Sequence, residues 1–277
     1  MSYKIVGDSC CDYTTVEKEN SAFIQIPLTL DVDGFQIRDD DTFEQADFLK
    51  RVAQSKECPR SACPTPEEYM KAYEQADDIY VVTLSSELSG SYNSAELAKN
   101  LYEEEYGKKN IHVFNSKSAS SGQLLICRKI EQLAKSGKTF QEVVEQVEQY
   151  IEGLHTYFVL ETLDFLRKNG RLSRVQAILA GALNIKPVMG SENGTIIKLG
   201  QVRGMKKAVS AMIDHAIADC NAPETKDLVI AHCNCYERAE KAKEEIMKKA
   251  NFKSITIVET RGVSSLYAGD GGIIIAC

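Results

Sequence analysis

Short runs of apolar, β-branched residues alternate along this chain with longer stretches of helical periodicity, the pattern of an α/β protein. The strand-like runs are Lys4-Ile5-Val6, Phe23 to Leu30, Ile79 to Leu84, Ile111 to Phe114 and Tyr157 to Leu160. Ile196 to Leu199, Leu228 to Ala231, Ile255 to Val258 and Ile273 to Ile275 complete the set. Between them, Thr42-Phe43-Glu44-Gln45, Thr65-Pro66-Glu67-Glu68 and Thr139-Phe140-Gln141-Glu142 read as capping boxes that start helices. Pro66 strengthens the second, because a first-turn position loses nothing by lacking an N–H. After Thr139, Phe140, Val143, Val144, Val147 and Ile151 recur at helical spacing and belong to the core.

The rhythm changes past the middle. Gly190 to Gly194 reads as a hairpin turn, so some antiparallel pairing is expected in the second half, unlike the βαβ order before it. With no Pro/Gly-rich linker, a domain boundary has to be a short crossover, placed at Gly153-Leu154-His155. The expectation is an N-terminal parallel βα domain over 1–154 and a C-terminal α/β domain over 155–277 with a partly antiparallel sheet.

Composition narrows the class. The 43% hydrophobic and 26% charged content over 277 residues is that of a folded globular chain. No stretch reaches the roughly 18 apolar residues needed to span a bilayer, and the start lacks the features of a secretory signal. A cytoplasmic location is expected. Nine cysteines at 10, 11, 58, 63, 127, 220, 233, 235 and 277 show no framework spacing and are expected as thiols. Cys233-Asn234-Cys235 beside His232 ends a buried strand run and has no second ligand cluster, so no metal is expected.

A net charge of −7 argues against nucleic acid as a partner. Its distribution says more. From Arg167 to Lys207 nine basic residues (Arg167, Lys168, Arg171, Arg174, Lys186, Lys198, Arg203, Lys206 and Lys207) face Glu192 alone. Such a window suits an acidic or phosphate-bearing partner, or is simply a solvated surface.

Catalytic patterns are missing: His112, His155, His215 and His232 form no recognisable triad, and no Walker loop, nucleophile elbow or dinucleotide fingerprint occurs. Gly269-Asp270-Gly271-Gly272 reads as a tight turn before the last strand. The positive signal is a set of hydroxyl-rich loops at strand ends. Ser85-Ser86-Glu87-Leu88-Ser89-Gly90-Ser91 follows a buried-looking strand and opens a helix, where hydroxyls, free N–H groups and the helix dipole suit a carboxylate or a phosphate. Ordinary capping by one serine explains the same residues equally well. Asp8-Ser9-Cys10-Cys11-Asp12, Ser116 to Gly122 and Ser61 sit in similar loops and read as turn and cap residues.

Taken in order, these segments resemble the DegV family, which includes the fatty-acid-binding subunits of bacterial fatty-acid kinases. Asp8 to Asp12 is similar to the family's D-S-T-S-D, and Ser61-Ala62-Cys63-Pro64 to its T-S-Q-P. Leu84 to Tyr92 resembles L-S-S-G-L-S-G-T-Y, the most specific match, and Asn115 to Ser118 resembles D-S-K-S. Asn169-Gly170-Arg171-Leu172-Ser173 resembles G-G-R-I-S, Ile185 to Val188 resembles I-K-P-I, and Val202-Arg203 with Lys206-Lys207-Ala208 resembles the arginine segment.

The resemblance implies a long acyl chain buried between two domains, no cofactor, and no catalytic centre of its own. Carboxylate-binding hydroxyls map onto Ser61 and Ser89, with Ser86 beside them, and partner-facing arginines onto Arg171 and Arg203. The partner implied is a fatty-acid kinase. Three departures stand out: Tyr267 occupies the place of the family's histidine, Ser61 that of threonine, and Cys63 that of glutamine. A phenol donates one hydrogen bond but relays no proton near neutral pH. The alternative is an enzyme or phospho-ligand-binding protein using the same serine-rich loops, and a third reading is an interaction module using the basic face.

Overall fold

The computed structural model describes residues 2–172 and 184–277. The first half contains β1 (Tyr3–Asp8), α1 (Thr15–Glu19), β2 (Phe23–Ile26), β3 (Thr29–Val32), β4 (Phe35–Arg38), α2 (Gln45–Gln54) and β5 (Arg60–Ala62). It continues through α3 (Pro66–Tyr73), β6 (Asp78–Thr83), α4 (Ser91–Tyr106), β7 (Asn110–Asn115), α5 (Ser121–Lys135) and α6 (Phe140–Glu152). The second half contains β8 (Thr156–Val159), α7 (Asp164–Lys168), β9 (Ile185–Glu192), β10 (Thr195–Arg203) and α8 (Met205–Asp219). β11 (Asp227–His232), α9 (Tyr236–Lys249), β12 (Ser254–Glu259), α10 (Gly262–Ala268) and β13 (Ile273–Ala276) close it.

Three sheets organise these elements. A parallel sheet in the order β2-β1-β6-β7 belongs to the first half, and a mixed sheet β10-β9-β8-β13-β11-β12 to the second. Only β11 and β12 pair in parallel in the mixed sheet; its other pairings are antiparallel. The change of sheet falls between the end of α6 and the start of β8, around Gly153 to His155. β6 is buried along its whole length, as a central parallel strand covered on both faces must be. The third sheet, β4-β3-β5, is small and antiparallel.

α5 joins the two large sheets. Leu124, Leu125, Ile126, Cys127 and Ile130 are all buried, and their cluster includes Ile5, Tyr80 and Val82 of one sheet with Val229, Ala231 and Ala276 of the other. A helix apolar on most of its circumference has to lie inside, and here it is sandwiched. α8 and α9 cover the far face of the mixed sheet, where Met212, Ile213 and Ile246 meet Tyr157, Val159 and Ile230. Phe158 and Leu160 therefore point the other way, towards the first half.

Several expectations are corrected. The run Phe23 to Leu30 is two strands in different sheets, because Pro27 cannot donate to a ladder. Thr42 caps no helix: its hydroxyl bonds Asp40 at 2.7 Å, and α2 starts at Gln45 without a side-chain cap. The Thr65 and Thr139 boxes form as expected, and Thr14 with Glu17 forms a third. The hairpin turn is narrower than Gly190 to Gly194. β9 runs on to Glu192, leaving Asn193 and Gly194, both at positive φ, as a two-residue primed turn. β4 and β5 are exposed or half-buried and only four and three residues long; β4 alternates Phe35 and Ile37 with Gln36 and Arg38, too short a run to mark a strand by itself. Among the described residues no helix is long and apolar enough to cross a membrane, and no group of three metal-ligating side chains gathers.

Gly194 has φ +79, and a Cβ there would stand 2.5 Å from Ser85 Oγ and 3.2 Å from Lys117 Cα. Gly194→Ala is expected to destabilise the protein by about 1–3 kcal/mol, from left-handed strain plus that clash. Urea denaturation checks it; an unchanged midpoint contradicts the account.

Candidate functional site

The seam between the halves is built around α10. Its first turn leaves free N–H groups, and the first half supplies their acceptors. Asp39, just after β4, accepts from Gly262 N at 2.7 Å and Val263 N at 2.8 Å. Asp12 accepts from Arg261 N at 2.6 Å and from the Ser120 hydroxyl at 2.6 Å. Gln45 Nε2, freed from any capping role, donates to Thr260 O at 2.8 Å and Ser265 Oγ at 3.1 Å. Gly262 allows this approach: a Cβ would lie 2.6 Å from the Asp39 carboxyl. Burial pushes the Asp39 carboxyl up, and pushes Asp8 to about 6 and Asp12 to about 7.

α10 forms one wall of an apolar cavity of about 90 Å³ between the halves. Leu84 and Leu88 from the loop after β6, Phe158, Leu160 and Leu166 from the second half, and Tyr267 of α10 line it. Where Tyr267 lines the cavity, its Oη lies 2.9 Å from Ser61 Oγ, β5 having been carried there by its pairing with β3. Arg171 also lines the cavity. Its Nε donates to Leu88 O at 3.1 Å, and the guanidinium carbon lies 5.7 Å from the centre of the Tyr267 ring. Elsewhere along the seam Ser118 Oγ and Thr156 Oγ1 are 2.6 Å apart, and Ser85 donates to Gly194 O at 2.8 Å. Residues of the cavity wall are therefore hydrogen-bonded between the halves.

The sequence-predicted residues divide accordingly. Ser61 and Tyr267 come together. Ser89 lies in the same loop as Leu88, and the neighbouring Gly90 approaches Cys63, two residues from Ser61. Its hydroxyl contacts Ser91 Oγ at 3.0 Å and accepts from Ser91 N at 3.2 Å. Ser86 is at neither the Ser61–Tyr267 pair nor the cavity wall: Asn115 Nδ2 donates to its hydroxyl at 2.8 Å, and its N–H bonds Asn115 Oδ1 at 3.1 Å.

Arg171 faces the cavity, whereas Arg203 is exposed at the end of β10. The ladder sets Arg203 opposite Ile185, level with Lys186, which pairs with Glu161 at 2.6 Å. Other charges of the basic window are also spent, Arg167 on Asp164 at 3.1 Å. Arg174 of that window and Ser173 of the motif lie outside the described residues. His232 and Cys235 are structural, with Cys235 N donating to His232 Nδ1 at 3.3 Å.

Reading the sequence missed Asp39, Gln45, Cys10 and Thr156 as parts of the site. Asp39 and Gln45 act through partners more than 200 residues away, a separation no local pattern reveals.

Comparison with known proteins places the chain in a family. The family model described as "Uncharacterised protein, DegV family COG1307" matches residues 2–277. The chain belongs to the DegV family. A DegV family protein of Ruminococcus gnavus, whose structure is described with vaccenic acid, is 53% identical over all of both chains with a TM-score of 0.98. The Streptococcus pneumoniae Fatty Acid Kinase (Fak) B3 protein loaded with linoleic acid is 37% identical, with TM-score 0.91, covering 100% of this chain and 99% of its own. The DegV domain-containing protein spr0652 of S. pneumoniae is 37% identical over 277 residues, 99% of this chain and 98% of that protein.

Two predictions follow from the seam of this DegV chain. Asp39→Ala leaves two buried N–H groups without acceptors and is expected to cost about 2–5 kcal/mol, read as a lowered urea midpoint. The second concerns pH. Asp8 and Asp12 hold protons more tightly folded than unfolded, so their contribution lowers stability as pH rises from about 4 to about 7. Asp12→Asn should flatten that fall in urea titrations at pH 5 and 7.5; an unaltered slope contradicts the assignment.

Proposed function

We propose that this protein binds a long-chain fatty acid between domains 1–154 and 155–277 and presents its carboxylate to a fatty-acid kinase, with no catalytic centre of its own. The observation that carries the reading is an apolar cavity lined by Tyr267, whose hydroxyl pairs with that of Ser61. The descriptions of the R. gnavus and S. pneumoniae relatives with vaccenic and linoleic acid support it.

The energetics are consistent. Each buried methylene contributes roughly 0.8 kcal/mol, so about ten contribute around 8 kcal/mol before ordering costs. The head group meets uncharged hydroxyls of Ser61, Tyr267 and Ser89, with the Arg171 guanidinium beside them, so a carboxylate gains donors without a fully buried ion pair. Arg203 and the residues around it are left for the kinase, in a cytoplasmic setting.

The alternative of a phosphate ligand on the serine-rich loops fits less well. Most of those hydroxyl donors are spent: Ser85 on Gly194 O, Ser116 on Ser118 O and Ser120 on Asp12, while Ser118 and Thr156 bond each other.

Organic extraction of purified protein followed by mass spectrometry is expected to release about one equivalent of fatty acid. Finding no released acid, together with no uptake of added oleate, defeats the proposal. Tyr267→Phe removes one donor and should weaken oleate binding about tenfold, the size of one hydrogen bond to a charged group. Methyl oleate, lacking the charge, should bind both proteins with similar affinity; an equal loss for acid and ester would place the carboxylate elsewhere.

A further inference from the structure

Among the described residues, two pairs of cysteines bring their thiols together. Cys11 and Cys127 have sulfurs 3.8 Å apart, but neither residue is exposed at all, and Tyr13 Oη donates to Cys127 Sγ at 3.3 Å. Cys220 and Cys277 belong to the cluster between α8 and the mixed sheet, 7% and 3% exposed, and neither lines the cavity. We propose that Cys220 and Cys277 form a redox-responsive dithiol, a site that takes a low-molecular-weight disulfide and becomes a cross-link between the end of α8 and the end of β13.

The ladder positions one thiol and the helix end the other. Cys277 continues the line of β13: its N–H donates to His155 O at 3.2 Å, and its carbonyl accepts from His155 N at 3.0 Å. Side chains alternate along that line. Ala276 packs on the α5 side, whereas Ile273, Ile275 and Cys277 pack on the α8 side. There the Cys277 thiol reaches the last turn of α8, with its Sγ 3.8 Å from Ala216 O. Cys220 lies four residues beyond Ala216, just past Asp219 where α8 stops. One helical turn brings the two side chains to the same side, and there the Cys277 thiol donates to the Cys220 sulfur.

This arrangement divides the work between the sulfurs. The bond from Cys277, with positive charge from Lys226, holds the Cys220 thiol below its ordinary range, although burial and Glu224 oppose the shift. The same bond, burial and Asp219 push the Cys277 thiol up. Tyr157 Oη engages Asp219 at 2.6 Å. Cys220 is therefore the nucleophile and Cys277 the resolving thiol. The Cys220 thiolate attacks one sulfur of a disulfide RSSR; a Cys220–SR bond forms and RS⁻ leaves. RS⁻ takes the Cys277 proton, and the new thiolate attacks Cys220 Sγ, closing the Cys220–Cys277 bond and expelling the second RS⁻. Two electrons pass from the protein to RSSR, which departs as one thiol and one thiolate. Cys11 and Cys127 differ in both respects: burial pushes the Cys11 thiol far up, and no exposed surface admits an oxidant.

The test uses the full chain, reduced and then incubated with glutathione disulfide at about pH 7.5. The protein is unfolded in iodoacetamide to block remaining thiols, and its peptides are mapped by mass spectrometry. A peptide pair joined through Cys220 and Cys277 should accumulate, and should vanish when dithiothreitol is added before blocking. Cys11 and Cys127 should be recovered as blocked free thiols, and the exposed Cys63 at most as a mixed disulfide. Cys277→Ser should arrest the reaction at a Cys220–glutathione adduct, whereas Cys220→Ser should leave Cys277 unmodified. In the folded, reduced protein Cys220 should react with iodoacetamide about tenfold faster than Cys277. Mapping of the unmutated protein decides the matter if a variant does not fold. A Cys11–Cys127 cross-link in place of Cys220–Cys277, or no internal cross-link at all, overturns the proposal.

Discussion

The geometry of this protein depends on one constraint: the first turn of α10 cannot satisfy its own N–H groups, and their acceptors come from the other half of the chain. Asp39 and Asp12 reach across the seam to Arg261, Gly262 and Val263, with Gln45 adding Thr260 and Ser265. Charge-assisted bonds of this kind are short and directional, so they fix the axis of a seven-residue helix that has little stability alone. Tyr267 is the second-last residue of that helix. Placing it 2.9 Å from Ser61 is a consequence of where three acidic and amide side chains sit some 230 residues earlier. Burial makes those carboxyls costly as ions, which is the expense of holding the two halves in register.

Uncharged groups, Ser61 and Tyr267, meet at the mouth, and paired hydroxyls need no counter-charge because each donates or accepts as required. Arg171 supplies positive charge without being buried, spread over a planar group that rests near the Tyr267 ring and donates to a carbonyl. The resemblance had set Arg171 and Arg203 together as partner-facing. The structure separates them: one roofs the cavity, the other stays at the exposed end of a strand.

Much of the fold was legible because its signals are local. Buried parallel strands read as continuous apolar runs, and the boxes at Thr65 and Thr139 announced α3 and α6. Thr42 misled because its hydroxyl found Asp40 first, the competition that makes threonine a poor predictor on its own. β4 and β5 escaped notice because they are only four and three residues long and exposed or half-buried, although β5 carries Ser61. At the site, Ser61, Ser89 and Tyr267 were reachable only through motif order, since periodicity treats them as turn residues. Thr156 and Asp39 carry no such mark, because their roles come from long-range pairing alone.

The cavity is smaller than its proposed occupant, and the difference locates the work of binding. An engineered cavity of roughly 150 Å³ holds one benzene, so about 90 Å³ cannot take a long acyl chain unless its walls part. The large sheets cannot yield, being tied through the buried face of α5. What can yield is the ring of contacts across the seam: Ser61 with Tyr267, Arg171 with Leu88, Ser118 with Thr156, and Ser85 with Gly194. The first two give way without loss, because an arriving carboxylate offers acceptors in exchange.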